Sequence, residues 1–342
     1  MTTLVDDDIR WCEAMLARVS RTFGLCIRFL PVDIRTPVLL SYLLCRLADT
    51  IEDNPALPLA HKQMLLACLA GALEAAEPVV GAIEGAFDDA TGPEAALARG
   101  TGRLLSVYAW QPARIRGVVT PWVQEMCRGM AEFAPNRIQT AGLGRADLRA
   151  LATERDLDAY CYFVAGTVGH LLTGLFASLR PRLPRASVAR LDALAESFGA
   201  GLQLTNIIVD TADDRQRGIS YVPEELCRRE GITSWDLLRI DAQAQARAVM
   251  GHLVHKARHH LADALRYCEI LPKVEYQIRL FCLVPVFLAL RTLRAVEGTQ
   301  EFPTSGQRIK IGRAAVYRTV TAARLCASSN HLVRAYAHHL EF

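Results

Sequence analysis

The stretch CRLADTIEDN, Cys45 to Asn54, gathers Asp49, Glu52 and Asp53 directly after the uncharged run LLSYLLC. On a helix, side chains three or four apart share a face, so Tyr42, Arg46, Asp49 and Asp53 line one stripe. A second stripe runs through GAGLQLTNIIVDTADD, where Gly199, Gln203, Asn206, Asp210 and Asp214 follow at the same steps with Asp213 beside them. Carboxylates four apart repel by about 0.2–0.5 kcal/mol on an exposed helix, and by more when partly buried. A cation between them turns that cost into binding. Carboxylate and amide oxygens without Cys or His suit a hard ion such as Mg²⁺, which is held by one or two carboxylates plus phosphate oxygens. Two such stripes facing each other would clamp a Mg²⁺–diphosphate. The plain alternative is a solvated helix end, which is how Asp6 to Asp8, Asp88, Asp89, Asp156 and Asp158 read. None of these has both an apolar approach and a polar stripe.

Two further segments fit a diphosphate carrying an apolar tail. VSRTFGLCIRFLP sets Ser20 and Arg21 before Phe23, and a hydroxyl with a guanidinium fork suits phosphate oxygens. A helix cap explains Ser20 equally well. DAYCYFVAGTVG offers Tyr160, Tyr162 and Phe163, then small residues that permit close helix packing or leave room for a chain. No glycine-rich phosphate loop follows a strand, and AGLG (Ala141 to Gly144) reads as a lone turn.

The elements that must position these residues are helical. Ala, Leu and Arg recur at helical periods, and alternating β-branched runs are scarce. One helix is expected from Arg35 to Asp53 with Pro37 in its first turn, stopped by NPALP. Others follow over HKQMLLACLAGALEAA, PEAALARGTGRLLSVYAW, the stretch from Pro112 and GRADLRALATERDLDAYCYFVAGTVGHLLTGLF, the last holding one or two. A long helix ends at Gly218, a further one starts at Trp235, another covers VEYQIRLFCLVPVFLALRTLRAVEG, and a last one lies beyond Ile311. No Pro/Gly/Ser linker divides the chain, so one all-α domain over residues 1–342 is expected.

The 342 residues are 51% hydrophobic and 22% charged, enough for a large core. Their 39 basic and 36 acidic side chains are scattered, which excludes a nucleic-acid surface. Ten cysteines without a C-x-x-C pair read as reduced core thiols, favouring the cytoplasm. The acidic N-terminus does not read as a signal peptide. LFCLVPVFLAL (Leu280 to Leu290) is shorter than the roughly 20 residues a spanning helix needs, so at most peripheral membrane contact is expected.

Together SRTF…LP, YLLCRLADTIED, YCYFVAGTVG, LQLTNIIVDTADDRQRGISYVP and RLFCLVPVFLALRTL, in that order, resemble the squalene/phytoene synthase family in its squalene-synthase branch. The resemblance implies a single-domain, all-α isoprenoid synthase fold with a central apolar cavity. It implies that Asp49, Asp53, Asp210 and Asp214 hold Mg²⁺, with Glu52 and Asp213 behind them. Ser20, Arg21 and Arg46 match diphosphate-contacting positions, and Gln203 and Asn206 match the polar stripe facing the cavity. Phe23, Tyr42 and Tyr160 match aromatic positions near the reacting carbons. Lys310 and Arg313, in QRIKIGRAAVYR, resemble the basic segment that serves NADPH use.

Two positions depart from the pattern: Val209 stands where the family carries a basic residue before the second aspartate motif, and Ile219 where it carries an arginine. Arg215 and Arg217 lie near enough to substitute. The first functional expectation is head-to-head condensation of two farnesyl diphosphates, through presqualene diphosphate, to squalene, with Mg²⁺ and NADPH. A second keeps the ionising site but passes one prenyl group, farnesyl or shorter, to an aromatic acceptor of the indole or carbazole type. A third is dehydrosqualene or phytoene synthesis without reduction. A non-catalytic lipid-binding helical protein has no use for two aspartate stripes.

Overall fold

The computed structural model describes residues 2–20, 22–75, 79–140 and 148–341, with side chains described over 6–20, 22–75, 79–132 and 148–340. Helices dominate, and the chain divides into two compact units. The first comprises Met1–Ala134 and Thr167–Asp192, the second Pro135–Gly166 and Ala193–Phe342.

In the first unit the Val32–Asp53 helix is the central element. It begins three residues before the expected Arg35, so Pro37 falls in its second turn and leaves one carbonyl without its helical partner. Leu40, Leu43, Leu44, Leu47, Ala48 and Ile51 are almost wholly buried, whereas Tyr42, Arg46, Asp49 and Asp53 stand out of the packed face. The expected helix over PEAALARGTGRLLSVYAW breaks into Pro93–Arg99 and Thr101–Ala109. Gly100 sits at the break because the Trp11 ring lies against it: a Cβ there would meet Trp11 Cζ2 at 2.1 Å.

The second unit contains a small sheet that helical periodicity did not show. Ile138–Thr140 pairs antiparallel with Arg149–Leu151, which pairs parallel with Ile219–Ser220. The stretch from Gly144 is expected to hold one or two helices; its described part opens instead as this strand, continues as Glu154–Cys161 and widens into a π-helical turn over Tyr162–Gly166. Thr153 caps that helix by a reciprocal pair of bonds with Asp156. The π turn leaves the Ala165 carbonyl close to Gly199, where a Cβ would fall 2.1 Å from the oxygen. Only glycine permits that approach between the Arg185–Gln216 helix and the turn.

The run Leu280 to Leu290 is core: it lies inside the Tyr276–Gly298 helix and is buried throughout. Just before it, fully buried Arg279 donates to the carbonyls of Ala327 and Leu271 and to Asn330 Oδ1, each at 2.6 Å. These bonds secure the turn between two closing helices, Arg313–Cys326 and Asn330–Glu341, where one was expected. All ten cysteines are free thiols, nine of them buried, and burial pushes Cys26 up to about 12.

Replacing Gly199 by Ala is expected to cost about 1–3 kcal/mol through overpacking. Gly71, on an exposed helix position with nothing within 4 Å of a built Cβ, is the contrast. Gly71→Ala should stabilise by about 0.5–1 kcal/mol. Denaturant unfolding of both variants checks the pair, and equal effects would contradict the close approach.

Candidate active site

In the first unit the predicted residues gather on one helix and the turn before it. Ser20 Oγ accepts the Gly24 amide at 2.9 Å at the start of the Thr22–Ile27 helix, so its capping role is real. Its hydroxyl also interacts with the Tyr42 phenol, which reaches the Val19 carbonyl at 3.4 Å. Burial raises the Tyr42 pKa against the opposing effects of Ser20 and Arg46, which keeps the phenol neutral. Phe23 packs beside it, ring centroids 6.1 Å apart. Arg21 lies outside the described residues.

The charges of this stripe are strained. Burial pushes the Asp49 carboxyl up to about 7; Arg46 pulls against that and the Asp53 charge adds to it. Asp53 itself is exposed at the helix end, next to half-buried Glu52. Although burial works against its charge, Asp49 and Glu94 hold Arg46 above the usual guanidinium range. Arg46 donates a terminal N–H to Glu94 Oε1 at 2.9 Å, while its buried Nε has no hydrogen-bond partner among the described residues. Glu94 was not singled out from sequence. It lies far along the chain, in the first turn of Pro93–Arg99, and nothing in its local pattern marks it. A half-buried carboxylate held near neutrality beside an arginine with an unused N–H is an arrangement that a cation and a polyanion together would satisfy.

In the second unit the stripe on Arg185–Gln216 also stands where periodicity put it. Gln203 and Asp210 are half-buried, Asn206 and Asp213 exposed, and Asp214 buried at 4% exposure. Arg217 pairs with Asp214 one turn away. Arg215 turns elsewhere, donating to the Trp235 carbonyl with its guanidinium 4.5 Å above the Trp235 ring. Of the two arginines considered as substitutes for Val209 and Ile219, Arg217 thus meets a stripe carboxylate. Val209 itself is buried at 6% exposure, part of the packing. Tyr160 stacks on Tyr221 with centroids 4.4 Å apart, and both rings are buried.

The basic segment contributes a residue that sequence reasoning passed over. Arg308 Nε lies 2.6 Å from Asp210 Oδ1, and a terminal nitrogen lies 3.7 Å from Asp213 Oδ2. Lys310 and Arg313, the two that were singled out, are exposed. The signal was present in SGQRIKIGR, three basic side chains between Gly306 and Gly312, but which of them meets a carboxylate depends on the fold. Among the described residues no three His, Cys, Asp or Glu side chains converge on one point. That donor set fits an ion that draws most of its ligands from phosphate and water, as Mg²⁺ does, and does not fit an all-protein cage.

Comparison with known proteins bears on the family and the fold. The family model for squalene/phytoene synthase matches residues 16–315. The squalene synthase of Schizosaccharomyces pombe is 29% identical over 327 residues, covering 94% of this chain and 67% of its own length. Among solved structures, a complex of TcSQS with a ligand superposes with a TM-score of 0.81 at 24% identity, covering 98% of this chain and 91% of the other. A dehydrosqualene synthase in complex with a ligand gives a TM-score of 0.66 at 23% identity, covering 94% and 96%. Both share the all-α isoprenoid synthase fold.

The strain at Asp49 has a measurable sign. Its carboxyl shifts from 3.8 up to about 7 on folding, so the folded chain binds the extra proton and stability falls as pH rises through that window. In chelator, Asp49→Asn should therefore raise the melting temperature at pH 8, and the gain should vanish below about pH 4, where both side chains are neutral. A variant less stable than the parent at pH 8 would contradict the electrostatic account.

Proposed function

The chain belongs to the squalene/phytoene synthase family, a family of prenyltransferases, and from that premise we propose that it joins two farnesyl diphosphates head to head to give squalene. The observation that carries this reading is the Asp49–Arg46 arrangement: a carboxyl pushed to about 7 next to an arginine with a spare N–H. Asp49 and Asp53 on one helix, and Asp210 and Asp214 on the other, are the residues that would hold Mg²⁺. When bound, Mg²⁺ supplies positive charge that makes diphosphate a better leaving group.

The side chains of the chain do the rest. Arg46, with Ser20 and Arg21, binds the diphosphate oxygens and stabilises the negative charge that grows as the C–O bond breaks and its electron pair leaves with the diphosphate. The allylic cation left behind is steadied by the aromatic faces of Phe23, Tyr42 and Tyr160, each worth about 0.5–2 kcal/mol. The double bond of the second farnesyl diphosphate supplies the pair for the new C–C bond, and loss of a proton closes the cyclopropane of presqualene diphosphate. A second ionisation and rearrangement follow, and NADPH, when bound, would supply the hydride that completes squalene. Gln203 and Asn206 orient the polar end of the substrate, Glu52 and Asp213 lie behind the carboxylates that would hold the metal, and Lys310 and Arg313 would hold NADPH. The catalytic setting is the cytosol, which suits the free, buried thiols.

Purified protein incubated with farnesyl diphosphate and Mg²⁺ should yield squalene only when NADPH is added, and presqualene diphosphate or another C30 product without it. Mass spectrometry of the extract decides. A C30 polyene that is indifferent to NADPH would make dehydrosqualene synthesis the reaction. No C30 product, with transfer to an added indole instead, would establish the aromatic-acceptor reading. Asp53→Asn and Asp210→Asn should each lower turnover by about 100-fold, the scale of losing one charge-stabilising group. Unchanged turnover in both would contradict the metal-binding assignment.

A further inference from the structure

Each stripe carboxylate of the second unit already carries an arginine, but the two arginines differ in what they are attached to. Arg217 directly follows the helix that carries Asp214 and is tied back to it by its own amide, which donates to the Asp214 carbonyl at 3.0 Å. Arg308 reaches Asp210 from a different part of the chain, the stretch between Gly306 and Gly312 that precedes the Arg313–Cys326 helix. That stretch has neither helix nor strand, and Gly306 turns it at φ +66. Among the described residues no backbone-to-backbone hydrogen bond fixes 308–311. The Arg308 side chain is 42% exposed and that of Asp210 26%, a partly exposed ion pair of modest strength, although Asp210 Oδ1 itself is shielded from solvent.

We infer that Arg308 competes with a divalent cation for Asp210, so that binding of the cation releases the Gly306–Gly312 segment from the Arg185–Gln216 helix; the inference rests on the metal-binding role proposed for Asp210. Arg308 and a metal ion draw on one oxygen. With Arg308 Nε at 2.6 Å and a Mg²⁺–oxygen bond of about 2.1 Å, sharing Oδ1 sets two cationic centres within about 5 Å of each other. The second contact, at 3.7 Å to Asp213, adds to the hold on the arginine without a bond as short as the first. Release frees the Arg308 charge to act with those of Lys310 and Arg313, which are exposed already, and no acidic residue lies between Glu301 and Glu341 to neutralise the three. Metal loading thereby turns a segment neutralised on the helix into a free cationic one, able to meet an anionic substrate or cofactor. The competition also makes the second stripe bind metal more weakly than its carboxylates alone would.

The probe is Mn²⁺ alone, with free ion followed by electron paramagnetic resonance and no substrate present. Arg308→Gln should bind Mn²⁺ about 2–5-fold more tightly than the parent, the range expected from removing a partly exposed ion pair. Equal or weaker binding overturns the competition. Limited trypsin digestion of the unaltered chain gives an independent readout that needs no variant to fold. Cleavage after Arg308, Lys310 and Arg313 should accelerate on adding Mn²⁺, and an unchanged or slower rate overturns the release. Asp210→Asn separates the two levels of the argument. Binding lost in Asp210→Asn but unaltered in Arg308→Gln refutes the competition and leaves the proposed metal role standing. Binding unaltered in Asp210→Asn refutes the metal role and the competition together.

Discussion

Charge brought to the end of a packed helix is the constraint on which the rest of this structure depends. Asp49 shares its helix with leucines that exclude water, and the carboxyl responds by rising to about 7. A protein selected only for stability would replace it. Such a penalty persists where it is offset by something that binds, and the proposed function supplies the binder: a hard cation for the carboxylates and a polyanion for Arg46. The same logic accounts for the apolar approach to each acidic stripe. A diphosphate must be held in a polar place while its prenyl chain, and the cation formed from it, are kept from water.

The packing around the stripes is correspondingly tight. Gly199 admits the backbone of the Tyr162–Gly166 π turn against the long helix, and the turn comes directly after Tyr160, which stacks on Tyr221. Extra-wide helical turns recur at functional sites because they re-aim side chains without ending the helix. Farther along, Arg279 spends its guanidinium on two carbonyls and one amide oxygen instead of a carboxylate, which locks the turn between the two closing helices without burying a second charge. The basic segment just before those helices is by contrast loosely attached, with Arg308 as its contact to the acidic stripe.

Sequence periodicity revealed the long helices and both stripes, because a three-to-four-residue repeat of polar groups on an apolar helix is a local property. It failed where structure depends on distant residues. The break at Gly100 is set by Trp11, which no local pattern connects to it. The short strands Arg149–Leu151 and Ile219–Ser220 are stabilised by each other, and neither is long enough to show an alternating pattern alone. Glu94 and Arg308 were missed for the same reason: each matters through a partner far away in the chain, Arg46 in one case and Asp210 in the other. Arg215 adds a contact of the same kind, since its guanidinium lies over the Trp235 ring, which no local pattern connects to it.

The most direct test is diffraction from crystals grown with Mn²⁺ and a non-ionisable farnesyl thiolodiphosphate, using the anomalous signal of manganese. The account predicts anomalous peaks coordinated by Asp49 or Asp53 and by Asp210 or Asp214, with diphosphate oxygens completing the coordination and the Arg46 Nε N–H turned to the anion. Diphosphate bound without metal at either pair, or manganese seated away from both, would contradict it.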